Sequence, residues 1–149
     1  MAKHIVCISF DFDAMSGWIA RGMTTPTPVS RGEFGVIAAG RILALLKKHG
    51  IPATWFIPGH TLETYPNACE QVLEARHEIG HHGWTHVPPA SLSRDEEEAE
   101  LVRANEQIRK LTGRRARLPL AVVGPEPAFG RAFDQARLLL RKQHDGERP

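Results

Sequence analysis

Ile5-Val6-Cys7-Ile8-Ser9-Phe10 is nearly all apolar, rich in β-branched residues, and followed at once by Asp11-Phe12-Asp13. Such a run reads as a central strand of a parallel sheet, covered on both faces. Ala53-Thr54-Trp55-Phe56-Ile57, closed by Pro58-Gly59, predicts a second strand, and Glu78 to His81 a short third one. Helical patterns lie between and after them. Ser30-Arg31-Gly32-Glu33 is a capping-box sequence, and the helix it opens carries Phe34, Ile37, Ala38, Ile42, Leu45 and Leu46 on one face. Lys47, Lys48 and His49 suit its C-terminal end, and Gly50 its stop. Pro66 to Arg76 predicts a second helix. Ser93-Arg94-Asp95-Glu96 repeats the capping box and starts a helix to about Leu111, with Gly113 as stop. Strand and helix therefore alternate, which predicts right-handed βαβ units around a parallel sheet. In such folds, sites lie at the C-terminal ends of the strands. Ala14 to Val29, with Gly17, Gly22, Pro26 and Pro28, predicts a long functional loop leaving the first of those ends.

The chain has 149 residues, enough for one domain with a hydrophobic core. Its net charge of +2 is too small to argue for nucleic acid or an anionic membrane surface as partner. No apolar run is long enough to span a bilayer, and Met1-Ala2-Lys3-His4 does not lead into a signal-peptide core. A cytoplasmic protein is the expectation, with Cys7 and Cys69 as reduced, packed thiols.

The chemistry concentrates in two places. Half of the 8 histidines fall in His77-Glu78-Ile79-Gly80-His81-His82-Gly83-Trp84-Thr85-His86. His82 and His86 stand four apart, a spacing that suits two imidazoles on one metal ion. Asp11 and Asp13 sit at i and i+2, so in extended chain both carboxylates face one side. Two like charges held together call for a cation or a shared proton. One carboxylate and two imidazoles leave open coordination positions, as in a catalytic site, and the second carboxylate can take a proton from water. The alternative is that one aspartate caps the loop, the other is solvated, and the histidines are surface residues. Strand alternation puts His81 on the opposite face from His82, which suits a supporting or core role. Trp84 can line a sugar-sized pocket or belong to the core, and His60, just past the second strand, can reach the same site.

Phe10-Asp11-Phe12-Asp13-Ala14 together with His82-Gly83-Trp84-Thr85-His86 resembles the polysaccharide deacetylase family, the NodB-homology or carbohydrate esterase 4 group. Pro52-Ala53-Thr54-Trp55-Phe56 and Gly59-His60-Thr61-Leu62-Glu63-Thr64 are similar to its cytosolic branch, which includes peptidoglycan-deacetylase-like and allantoinase-like members. The resemblance covers Ile5 to about Arg114. It implies an α/β fold, the first half of a distorted (β/α) barrel of the glycoside hydrolase/deacetylase type. It also implies Asp11 as general base and Asp13, His82 and His86 as ligands of a divalent metal. Zinc is the first choice, with cobalt, nickel or manganese as alternatives. The implied substrate is an N-acetylated sugar polymer or, in the allantoinase-like alternative, a small cyclic amide. Most of the family has adjacent aspartates followed by Gly, whereas Phe12 separates them here and Ala14 follows.

The expected division is 1–114 as the N-terminal part of that domain and 115–149 as an atypical, non-homologous tail. The family's later Leu-x-His motif, whose His is the general acid, does not occur in the sequence. One allowed codon choice for Leu118 to Pro127, read one nucleotide later and extended by two upstream bases, spells Gly-Tyr-Arg-Ser-Pro-Trp-Trp-Asp-Leu-Ser-Pro, a family-like segment that points to a frameshift. The chain is therefore expected to have low or no turnover, with self-association through unpaired sheet edges. Two other readings remain open. A haloacid-dehalogenase-type phosphatase would use Asp11 as nucleophile with magnesium, and an inactive remnant or interaction domain would turn over nothing.

Overall fold

The computed structural model describes residues 4–113. Three parallel strands form one sheet in the order β1 (Ser9–Asp11), β2 (Thr54–Ile57), β3 (Glu78–His81). Among the described residues five α-helices accompany it, α1 (Ser16–Ile19), α2 (Pro26–His49), α3 (Gly59–Thr64), α4 (Pro66–Glu74) and α5 (Arg94–Thr112), with one 3-10 turn at Pro89–Ser91. The core lies between sheet and helices. Phe12, Trp55, Ile57 and Ile79 meet Leu43, Leu46, Leu62, Val72 and Ile108 there.

The alternation of elements is the one the sequence predicts, and several boundaries hold. The Ser93 capping box forms in full: Glu96 N–H donates to Ser93 Oγ, and the Glu96 carboxylate accepts from Ser93 N–H at 2.8 Å. Gly50 and Gly113 end their helices in the left-handed conformation.

Four expectations change. The first strand is short and lies at the edge of the described sheet, so Ile5 and Val6 are 88% and 82% exposed. A central strand needs a neighbour on each side, and among the described residues β1 pairs only with β2. Cys7 is exposed for the same reason, while Cys69 is buried; both are free thiols. The 14–29 segment is not a plain loop, since it contains α1 and the start of α2, whose N-cap is Thr25 rather than Ser30. Finally, α2 buries Ala39, Leu43 and Leu46, leaving Phe34, Ile37 and Leu45 exposed. Its apolar residues surround most of the helix, so periodicity alone does not choose the face that docks. The helix α3 was not legible as an element. The tail assigned to 115–149 lies outside the described residues.

Candidate metal centre

Strand alternation sorts the end of β1. Phe10 and Phe12 turn to the core and pack on the Trp55 indole, at centroid distances of 4.9 and 6.2 Å. Asp11 and Asp13 consequently face the other way. Phe12 N–H donates to Phe56 O at 2.9 Å, which carries the ladder one residue beyond β1. The chain then bends sharply: Ala14 has φ +48°, a left-handed conformation that costs a non-glycine residue about 1–3 kcal/mol. The bend is tied down from both sides. Asp13 O accepts from Ser16 N–H at 2.9 Å and from the buried Thr61 hydroxyl at 2.7 Å.

The histidines come from the other side of β2. β3 ends at His81, a turn through Gly83 (φ +71°) follows, and His86 itself has φ +67°. His81 is fully buried and satisfied. Its Nδ1 accepts from Gly83 N–H at 3.1 Å, so Nε2 carries the proton and donates to Leu101 O of α5 at 3.1 Å. Burial pushes its pKa down to about 4, which keeps the ring neutral. The turn is also stitched to α3, whose leading N–H groups donate to Gly83 O and Trp84 O, both at 2.9 Å. Trp84 N–H reaches the Glu100 carboxylate at 3.3 Å. Burial raises the Glu100 pKa, with the Trp84 hydrogen bond and Arg103 opposing it.

These two limbs bring three residues together. His82 Nε2 lies 3.4 Å from Asp13 Oδ1, and His86 Nε2 lies 3.3 Å from Asp13 Oδ2. One ligand atom from each falls within 4.8 Å of the others. The two imidazoles meet edge to face at 4.8 Å between centroids. Asp11 stands at the margin, half-exposed, its Oδ2 3.9 Å from His82 Nε2. Burial lowers the His86 pKa, with the Asp13 charge opposing it and His82 adding to it, so a neutral, ligating imidazole is favoured there. Beside the carboxylates opens a cleft of about 250 Å³ with Trp18 and Arg31 on its wall.

His60 and Trp84 are not part of the cluster. His60 Nδ1 sits 3.4 Å from Ser16 Oγ. Trp84 is buried: the Arg103 guanidinium lies 3.5 Å above its ring, and a Cβ at Gly59 would stand 2.4 Å from Cε3. Of the two readings of this indole, pocket wall or core, its burial between α3 and α5 fits the core. Of the supporting residues, Ser16, Glu100 and Arg103 carried no signal in the sequence, and Thr61 appeared only within a longer motif.

The donor set fits a divalent ion. Asp13 Oδ1 is buried and accepts no hydrogen bond among the described residues. The 3.3 and 3.4 Å separations exceed an ordinary N–H···O hydrogen bond. They match the roughly 3.3 Å between two ligands about 2.0–2.1 Å from one tetrahedral ion. Carboxylate oxygen and imidazole nitrogen are ligands of zinc and its first-row neighbours.

Fold and cluster together define an α/β protein with a candidate divalent-metal site at the C-terminal ends of parallel strands. The polysaccharide deacetylase family model matches residues 36–141, and the chain belongs to that family. It is 40% identical over 145 residues to the peptidoglycan deacetylase of Helicobacter pylori, covering 95% of this chain and 48% of that protein. Over 80 residues it is 31% identical to the peptidoglycan-N-acetylmuramic acid deacetylase PdaA of Bacillus subtilis, covering 54% of this chain and 30% of that one. A solved structure from Mycobacterium smegmatis, described as a candidate polysaccharide deacetylase, superposes with a TM-score of 0.69 at 27% identity, over 74% of this chain and 40% of that chain. The carbohydrate esterase 4 pseudoenzyme BA3943 of Bacillus anthracis shares the fold, with a TM-score of 0.63 at 23% identity over 90% of this chain and 41% of that chain. The chain thus spans about half the length, or less, of the relatives it matches.

Proposed function

We infer that the chain is the metal-binding part of an N-deacetylase acting on peptidoglycan or a similar N-acetylated sugar polymer. The observation that carries this reading is the convergence of Asp13, His82 and His86 at the strand ends. These three would hold the ion, with zinc as first choice and cobalt, nickel or manganese as alternatives. When bound, the ion would polarise an amide carbonyl and lower the pKa of water. Asp11 would be the general base that takes a proton from water, a role its half-exposed position at the margin of the cluster supports. Asp13 holds its place against the two imidazoles and is not free to share that task. The buried Trp84 and the turn it supports keep His86 against Asp13.

The names of the relatives favour an N-acetylated sugar polymer over a cyclic amide. A haloacid-dehalogenase-type phosphatase is not favoured, because it gives His82 and His86 no task. Low or no turnover by the 149 residues alone is part of the reading, since no Leu-x-His general acid occurs in them. The open edges of β1 and β3 among the described residues favour self-association, which sedimentation would show. Among the described residues no helix is long and apolar enough to cross a membrane.

Zinc titration of the metal-free protein, followed by release of acetate from an N-acetylglucosamine oligomer, tests the reading. One zinc per chain, lost in Asp13→Asn, is expected, with slow or absent acetate release. Failure to bind zinc, cobalt, nickel or manganese would overturn it. For residues 115–149, sequencing the DNA from the Gly113 codon onward decides between a frameshifted tail and a genuine ending. The next frame spells Gly-Tyr-Arg-Ser-Pro in the first case only.

A further inference from the structure

A chain of buried hydroxyls runs from α3 to the backbone of Asp13. Thr61 Oγ1 donates to Asp13 O at 2.7 Å, and Ser16 Oγ lies 2.8 Å from Thr61 Oγ1. Thr61 has one proton and gives it to the carbonyl, so Ser16 must be the donor between the two hydroxyls. His60 Nδ1, 3.4 Å from Ser16 Oγ, closes the outer end as the remaining available donor. The order is His60 to Ser16 to Thr61 to Asp13 O. Ser16 and Thr61 are both 0% exposed, so neither hydroxyl can exchange its partner for water.

We propose that Thr61, oriented by Ser16, is the positioning residue that holds Asp13 in its ligating pose. The bend at Ala14 gives the reason. A left-handed alanine directly after the ligand is unfavourable by itself and persists only where its surroundings hold it. Asp13 O, the group just before that bend, is the atom the hydroxyl chain fixes. Nothing else from β2 or its following helix bonds that carbonyl among the described residues; its other partner, Ser16 N–H, belongs to the same local turn. Thr61 therefore ties the ligand segment to the rigid frame of α3. The same helix is bonded at its start to Gly83 and Trp84 of the histidine turn. One short helix thus sets the distance between the carboxylate and the two imidazoles. Groups that orient ligands in this way commonly change metal affinity about 10–100-fold when removed.

The proposal rests on the reading of Asp13 as a metal ligand, and the test separates the two. Zinc affinity is measured on the full 149-residue chain by competition with a chromophoric chelator, and the metal-free thermal midpoint is measured in parallel. Thr61→Val keeps the shape and removes the hydroxyl, while Thr61→Ser restores it. The expected result is about 10–100-fold weaker zinc binding in Thr61→Val and recovery to within about 3-fold in Thr61→Ser. The cobalt(II) absorption spectrum of Thr61→Val is expected to change, a readout that lowered stability alone would not move. Zinc affinity and cobalt spectrum equal to wild type in Thr61→Val would overturn the proposal. Should Thr61→Val not fold, Ser16→Ala takes its place, with weaker zinc binding expected and unchanged binding overturning the idea. A wild-type chain that binds none of these metals refutes the ligand assignment itself, whatever Thr61 does.

Discussion

Asp13 Oδ2 and His86 Nε2 stand 3.3 Å apart, although the strands that lead to them, β1 and β3, are not neighbours. β2 lies between, so at the usual strand spacing β1 and β3 run roughly 10 Å apart. Side chains close that gap, and both backbones bend in the left-handed region there, at Ala14 and at His86. The contact is a property of the two bends and of the bonds that hold them.

Single substitutions separate the ligands from the base. Asp13→Asn, His82→Ala and His86→Ala are each expected to weaken zinc binding by about 100-fold or more, since each removes one of three ligands. Asp11→Asn is expected to keep zinc affinity within several-fold, because Asp11 Oδ2 approaches only His82 and from 3.9 Å. Any acetate release the protein supports should vanish in Asp11→Asn. Calorimetric titration paired with an acetate assay measures both.

Gly59 lies where α3 meets Trp84. An added Cβ would come within 2.4 Å of the indole and 3.0 Å of Ala104 Cα. Gly59→Ala is therefore expected to destabilise by about 1–3 kcal/mol, the usual cost of overpacking. Urea unfolding of the metal-free protein reads it directly, and a midpoint equal to wild type contradicts this account of the contact.

His81 binds its neighbours through both ring nitrogens. His81→Ala leaves Gly83 N–H and Leu101 O without these partners in a buried place and opens a cavity. A loss on the order of 2–4 kcal/mol is expected. Faster amide exchange at Gly83 should accompany it, visible by hydrogen exchange.

The Cys69 thiol is fully buried, and burial, with Glu70 nearby, pushes its pKa up to about 12 from a usual value of 9.0. The folded state therefore holds this proton more tightly than the unfolded state. Its contribution is complete below pH 9 and is lost as pH rises from 9 through about 12, on the order of 4 kcal/mol in all. Unfolding free energy is expected to fall with pH across that window less steeply in Cys69→Ala than in wild type. At pH 8 a thiol reagent should modify the exposed Cys7 quickly and leave Cys69 untouched until unfolding.

The sequence by itself determined the order of strands and helices, the Ser93 cap, the glycine stops and the residues of the cluster. Each is a local signal: apolar alternation faces Phe10 and Phe12 away from Asp11 and Asp13, and the Ser93 hydroxyl three residues before Glu96 satisfies a helix start, whereas the like pair Ser30 and Glu33 lies inside α2. His81 was legible in the same way, as the residue one step out of phase with His82. Only the tertiary structure decided what those residues meet. It placed Ile5 and Val6 in solvent, because burial of a strand depends on which neighbours pair with it. It turned α2 so that Leu43 is buried and Leu45 is not, because both patterns are compatible with a helix and packing against Phe12 and Trp55 selects one. It buried Trp84, since the glycine and the arginine that enclose it come from α3 and α5. The hydroxyl chain through Ser16 and Thr61 belongs to the same class. A hydrogen bond across 48 residues has no period, spacing or composition to announce it, and its existence depends on the segment after β1 being folded against α3.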